Sequence, residues 1–264
     1  MNFIDIFKAL TSGIVEGLTE FLPVSSTAHL LLFSWVTDFN SVKNNLFEIV
    51  IQFGAILAVC IIYRARIFSI LLEWRRANNQ KFVLNLLLAF LPAAILGFLF
   101  HSIIKEIFFS STTIACALII GGLVMILVDR KPLPNQIDNV DAITPLKALA
   151  IGLFQSVAMI PGVSRSGATI IGGLLLKLNR QTAAEFSFFL SIPTIAAASF
   201  YDLYKNRADL TFSGAELILV GFFAAFLSAI FVIKWFIGYV SKHNFIPFAI
   251  YRIVLGIIIL FFTI

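Results

Sequence analysis

Two segments of this 264-residue chain place charge and hydroxyl groups among Leu, Ile, Phe and Ala. The first is Gly13-Ile-Val-Glu16-Gly-Leu-Thr-Glu20-Phe-Leu-Pro23-Val-Ser25-Ser26-Thr27-Ala-His29, and the second runs from Gly152 and Gln155 to Pro161-Gly-Val-Ser164-Arg165-Ser166-Gly-Ala-Thr169. Glu16 and Glu20 are spaced to share one helix face a turn apart. Two carboxylates that close repel unless a proton or a cation sits between them. They suit an acid/base pair or a divalent-cation site for Mg²⁺ or Ca²⁺, since Mg²⁺ is commonly held by one or two carboxylates plus substrate phosphates. Plain helix-end acids near the water interface are the alternative.

Ser25, Ser26 and Thr27 follow the break at Pro23, where a second short helix would begin. Their hydroxyls could serve as N-caps or join the free amides of that helix in binding an anion. His29 lies three residues beyond Ser26, near enough on one helical face to take a hydroxyl proton or protonate a leaving group. Arg165 stands between Ser164 and Ser166 after a Pro-Gly break, with Thr169 one turn on. A guanidinium keeps its charge and matches phosphate oxygens with its fork. A salt bridge from Arg165 to Glu16, Glu20 or Glu185 is compatible with that role. Acids, hydroxyls, a His and an Arg together form the set that phosphoryl transfer needs. At membrane depth, the substrate would carry a lipid tail and a phosphate head.

The elements that position these groups are set by composition. Hydrophobic residues make up 60% of the chain and charged residues 12%, against about 25% charged in soluble domains, and mean hydropathy is +0.99. This is an all-α polytopic membrane protein, a single integral-membrane domain over 1–264. Apolar runs near 46–63, 82–104, 113–128, 183–203, 215–237 and 245–264 give six crossings of roughly 20 residues. Asp5, Lys8, Glu16 and Glu20 argue against a cleavable signal peptide. Cys60 and Cys116 fall inside spans and read as small buried hydrophobes. His101 and His243 sit at span ends and read as packing residues. The net charge of +5 reflects basic loops, with no compact face for nucleic acid.

The motif segments, 3–33 and 148–177, are too short to cross twice and too broken to cross once. A re-entrant hairpin, permitted where its freed backbone lines an enclosed cavity, fits better. The order of elements repeats: Gly13 and Glu16 match Gly152 and Gln155, Pro23 to Ser26 matches Pro161 to Ser164, and Glu48 and Glu185 follow at similar distances. Residues 1–130 and 140–264 thus read as two repeats, each with a hairpin and about three full helices. An odd number of crossings inverts the second repeat, an architecture with broken helices meeting near the midplane. On that plan, loops 64–81, 129–147 and 234–243 and the return at 177–180 share one side. That side holds twelve Lys and Arg, against five (Lys8, Lys43, Lys105, Lys205 and Arg207) on the other. The positive-inside rule makes the first side cytoplasmic and puts both termini outside.

Glu16-to-His29 and Pro161-to-Thr169 resemble the two signature motifs of the undecaprenyl-diphosphatase family, also called bacitracin-resistance proteins, and the resemblance covers essentially the whole chain. It implies a bacterial inner-membrane enzyme that hydrolyses undecaprenyl diphosphate to undecaprenyl phosphate and phosphate, recycling the lipid carrier for cell-wall polymers at a site open to the periplasm. By the resemblance, a divalent cation falls to Glu16 and Glu20. The catalytic serine, histidine and arginine fall to Ser26, His29 and Arg165. Substrate-binding hydroxyls are Ser25, Thr27, Ser164, Ser166 and Thr169. Ala28 departs from the Gly often found there, which bears on packing. Water in place of Ser26 as nucleophile stays open, as does a homodimer. Inverted repeats also suit a flippase for undecaprenyl phosphate or an ion-coupled anion carrier.

Overall fold

The computed structural model describes residues 3–39, 46–130, 136–205 and 214–263, and they fold into helices. Lys43, Lys131 and Arg207 of the charge count lie outside the described residues, as do the side chains of His101 and Lys105. In chain order the helices are α1 (Phe3–Thr19), α2 (Ser26–Thr37), α3 (Leu46–Ile62), α4 (Arg64–Leu72), α5 (Ala77–Phe108), α6 (Ser111–Asp129), α7 (Pro145–Val157), α8 (Arg165–Leu175), α9 (Arg180–Lys205), α10 (Ala215–Val240) and α11 (Ile246–Thr263). Each of the six apolar runs becomes a helix. α5, α6, α9, α10 and α11 are long and apolar enough to cross a membrane, and α3 with α4 adds a sixth only as a pair bent by 72°. Large apolar side chains such as Leu99, Leu127, Phe231 and Phe261 point outward, which is stable only against hydrocarbon. The protein spans the membrane several times.

The motif helices are short. α1, the longest of the four at 17 residues, is at the lower limit for a crossing, and α2, α7 and α8 at 12, 13 and 11 residues fall below it. α1 packs on α2 and α7 on α8, so each motif is a helix-turn-helix unit. α1 lies along α10, whereas α7 lies along α5. Both contacts are too close for a side chain: a Cβ at Gly13 would lie 2.2 Å from the Gly221 carbonyl oxygen, and one at Gly152 would lie 2.4 Å from that of Ala89. Small residues at such crossings let backbones approach where van der Waals contact drives helix association. Between the two units runs the main core, which includes Phe21, Ala89, Ile170, Phe186, Phe188 and Phe236.

The basic loops gather at one end of the molecule. Arg66 pairs with Asp141, Lys81 donates to the Asp141 carbonyl, and Lys147 donates to the Leu176 carbonyl. Asp129, 5% exposed, accepts from Arg180 Nε at 2.7 Å and from the Phe245 amide. Arg180 is about a third exposed and water can take up its charge, so the main loss on truncating Asp129 is the acceptor of the buried Phe245 amide. Asp129→Ala is therefore expected to lower stability by about 1–3 kcal/mol, read as a fall in the thermal unfolding midpoint in detergent. His243 stacks on Tyr239, a packing role as expected. The cysteines are free thiols, but Cys116 is exposed and Cys60 only half-buried. Cys116 lies beside the inward-facing Ala115 and Leu118 of α6, and its position on the helix turns it outward.

Candidate active site at the two helix breaks

α1 keeps helical bonding one residue past its end, as the Glu20 amide donates to the Glu16 carbonyl at 2.9 Å. Glu16 and Glu20 therefore remain one turn apart. The chain then turns at Pro23 and restarts as α2, with Ser25 as N-cap accepting from the Ala28 amide. The second break does the same: Ser164 caps α8 and accepts from the Gly167 amide at 3.1 Å. Both caps have a left-handed φ, 72° at Ser25 and 73° at Ser164, a conformation costing about 1–3 kcal/mol that persists only where surroundings impose it. Ser25 follows Glu16 at the same interval as Ser164 follows Gln155. The equivalent serines are thus Ser25 and Ser164, which corrects the match of Ser26 with Ser164. The second turn passes through Gly162, whose φ of 92° suits a residue without Cβ.

The turns meet. Ser166 Oγ donates to the Leu22 carbonyl of the first turn at 2.7 Å. Arg165 Nη2 donates to Glu20 Oε1 at 3.3 Å, and its Nη1 donates to the Ser187 carbonyl of α9 at 2.9 Å. Ser26 Oγ donates to the other oxygen of the same carboxylate, Glu20 Oε2, at 2.6 Å. Phe21 lies against the guanidinium, 6.0 Å from ring centroid to Cζ. The side chains of Arg165 and Glu20 are only 11% and 9% exposed, so the pair sits in low dielectric where charge acts strongly.

Glu20, Ser25, Ser26, Thr27, Ser164 and Arg165 line one end of a cavity of about 510 Å³. Its other walls are largely apolar, including Phe90, Ala93 and Ala94 of α5 and Ile195, Ala197 and Ala198 of α9. The first amides of α2 and α8 have no carbonyl a turn before them in their own helix, which favours anions at this end. Gln155 also lines the cavity, donating to the Ala89 carbonyl at 3.4 Å and accepting from Thr194 at 3.3 Å.

Four of the expected site residues stand behind this lining. Glu16 is fully buried, with the Glu20 carboxyl within hydrogen-bond reach and no other side-chain or backbone donor on either oxygen among the described residues. His29 faces α11: Nε2 is 2.7 Å from the Tyr251 hydroxyl, Nδ1 is 2.8 Å from the Ser25 carbonyl, and the two rings stack. Ser166 bridges the turns, and Thr169 bonds the Ser187 hydroxyl at 2.7 Å. Glu185 accepts from Gln181 on its own helix, and Glu48 occupies the first turn of α3. Sequence reasoning missed Ser187, Tyr251 and above all Arg252, which is fully buried. A charged residue alone in an apolar span was the available signal.

A helical, multi-span membrane protein whose two helix breaks bring a Ser, a Glu and an Arg to one end of an apolar cavity is the class defined here. The sequence signature described as "Bacitracin resistance protein BacA" matches residues 9–258, and the chain belongs to that family. It is 52% identical over 265 residues to a Methylobacillus flagellatus protein named undecaprenyl-diphosphatase, covering 98% of each chain. Relatives of the same name from Nitrosomonas eutropha, 52% identical over 98% of this chain and 95% of the relative, and Nitrosospira multiformis, 50% identical over 98% and 96%, are similar throughout.

Proposed function

We propose that this protein hydrolyses undecaprenyl diphosphate to undecaprenyl phosphate and inorganic phosphate within the bilayer, returning the lipid carrier to cell-wall synthesis. The observation that carries this reading is the Ser26–Glu20 contact of 2.6 Å on a carboxylate also held by Arg165, at the polar end of an apolar cavity. A hydroxyl against a base that a third group orients is the geometry of an activated nucleophile. The names of the relatives agree with it.

In this mechanism the headgroup lies against Arg165 and the first amides of α2 and α8, with the tail along the apolar wall. Ser26 Oγ attacks the terminal phosphorus and Glu20 takes its proton. The bond to the bridging oxygen breaks, Glu20 returns the proton to that oxygen, and undecaprenyl phosphate leaves. Water then attacks the phosphoserine, its proton passing through Glu20 back to Ser26. His29 holds the Ser25 carbonyl and so orients the first turn. A divalent cation fits beside these groups. The carboxyls of the buried Glu16 and of Glu20 lie within hydrogen-bond reach of each other and need a cation or a proton between them. No group of three His, Cys, Asp or Glu converges among the described residues, so phosphate oxygens would complete the coordination of Mg²⁺ or Ca²⁺. Bound there, the cation would neutralise diphosphate charge.

The exchange of α1–α10 for α7–α5 packing, and the matching serine caps, support two inverted repeats with re-entrant hairpins. The basic end, tied by Arg66, Lys81, Lys147 and Arg180, supports a cytoplasmic assignment for that side. The cavity would then open toward the periplasm of a bacterial inner membrane.

The test is phosphate release from undecaprenyl diphosphate by purified protein with Mg²⁺ or Ca²⁺. Acid-quenched turnover is expected to leave phosphate on Ser26, and Ser26→Ala to abolish that label. Release without any label would make water the nucleophile. Lipid flipping in proteoliposomes with no phosphate released would replace the hydrolase with a carrier.

A further inference from the structure

Arg252 is the largest fully buried side chain among the described residues, and its hydrogen-bond partners there are all backbone carbonyls. Nη1 donates to Pro23 O of the first turn at 3.3 Å. Nη2 lies 2.8 Å from Val163 O and 3.2 Å from Gly162 O of the second turn, and 3.3 Å from Ala117 O of α6. No carboxylate lies within ion-pair distance of it among the described residues. An ion in hydrocarbon without a counter-ion is costly, so this arginine serves something other than a salt bridge.

We propose that Arg252 is a positioning residue that clamps the two helix breaks together and sets the distance between the Ser26–Glu20 and Ser164–Arg165 ends of the site. Its fork spans carbonyls of both turns, a reach that a single ammonium point charge lacks. The turn carbonyls it holds lie one or two residues before the strained caps. Val163 O belongs to the peptide that enters Ser164, and Pro23 O lies two residues before Ser25. Holding those peptides opposes relaxation of the left-handed serines. Gly121 makes room for the guanidinium: a Cβ there would lie 2.2 Å from Nη2, 2.9 Å from Cζ and 3.5 Å from Nη1 of Arg252.

That clearance supplies a test in which Arg252 stays in place. Gly121→Ala displaces the guanidinium, while Arg252→Met and Arg252→Lys remove or shorten it. The kinetic arm rests on the hydrolase reading. It expects kcat to fall about 10²-fold in Gly121→Ala and Arg252→Met, as for a misplacement near 1 Å, with KM within about threefold of wild type. Arg252→Lys is expected to fall short of rescue. Adding Gly121→Ala to Arg252→Met should cost less than about twofold more, since the two changes break one interaction. The second arm needs no activity. Amide exchange in segments 20–30 and 160–170 should quicken about tenfold in each variant, with α10 unchanged. A kcat within about twofold of wild type in Gly121→Ala, equal losses from Gly121→Ala in both backgrounds, or unchanged exchange at both turns would overturn the proposal. If Arg252→Met does not fold, Gly121→Ala decides by itself. A wild-type chain that releases no phosphate sinks the hydrolase reading, and the exchange result then judges the clamp.

Discussion

Glu20→Gln is expected to reduce phosphate release by about 10²–10⁴-fold, the range typical of losing a positioned general base. The substitution keeps size and polarity but removes the charge and one acceptor. Glu20 Oε2 takes the Ser26 proton at 2.6 Å and Oε1 faces Arg165 at 3.3 Å. A glutamine has one oxygen for these two donors, and its amide nitrogen opposes either. The loss is expected in kcat, because the carboxylate acts on the serine more than on the lipid tail. Thermal unfolding in detergent must accompany the assay, since the buried Arg165 loses its counter-charge and stability falls by a few kcal/mol. A folded Glu20→Gln protein within about tenfold of wild type would remove Glu20 from the role of base.

Arg165→Lys is the sharper of two arginine replacements. Arg165→Ala should cost about 10²–10³-fold, as for other groups aimed at developing charge. If charge alone mattered, lysine would restore most of that. The structure argues otherwise, because the guanidinium bonds the Ser187 carbonyl at 2.9 Å with one arm and Glu20 with the other, while resting near Phe21. An ammonium cannot keep both bonds and still present a fork to phosphate. Arg165→Lys is thus expected to remain at least about tenfold below wild type in kcat. Full activity in the lysine protein would show that positive charge suffices and that the anchoring by Ser187 is incidental.

Much of the site was legible because its chemistry is local in sequence. The i,i+4 acids, the breaks at Pro23 and Pro161-Gly162, and the hydroxyls beside Arg165 all follow from helical spacing and from the cost of placing such groups among apolar residues. The Arg165–Glu20 pair stood among the readings left open. What misled was the step from spacing to direction. His29 is three residues from Ser26, yet its ring nitrogens engage Tyr251 and the Ser25 carbonyl. The Ser26 hydroxyl instead points back to Glu20, because the left-handed Ser25 folds α2 against the end of α1. Thr169 shares the second motif but bonds Ser187 of α9, and only helix packing decides which neighbour it meets.

From its residues alone, this chain was bound to be a multi-span helical protein with two interrupted segments holding acids, hydroxyls and an arginine, since hydrocarbon admits helices and penalises stray charge. Tertiary structure decided the partnerships: which carboxylate meets Ser26, where Glu16 is buried, and how an arginine in the last helix reaches both turns. Those contacts join residues far apart in the chain, and their directions depend on helix crossings at small residues and on two strained serine caps. Such features have no periodic trace in sequence, because they arise only when separate helices share one buried space.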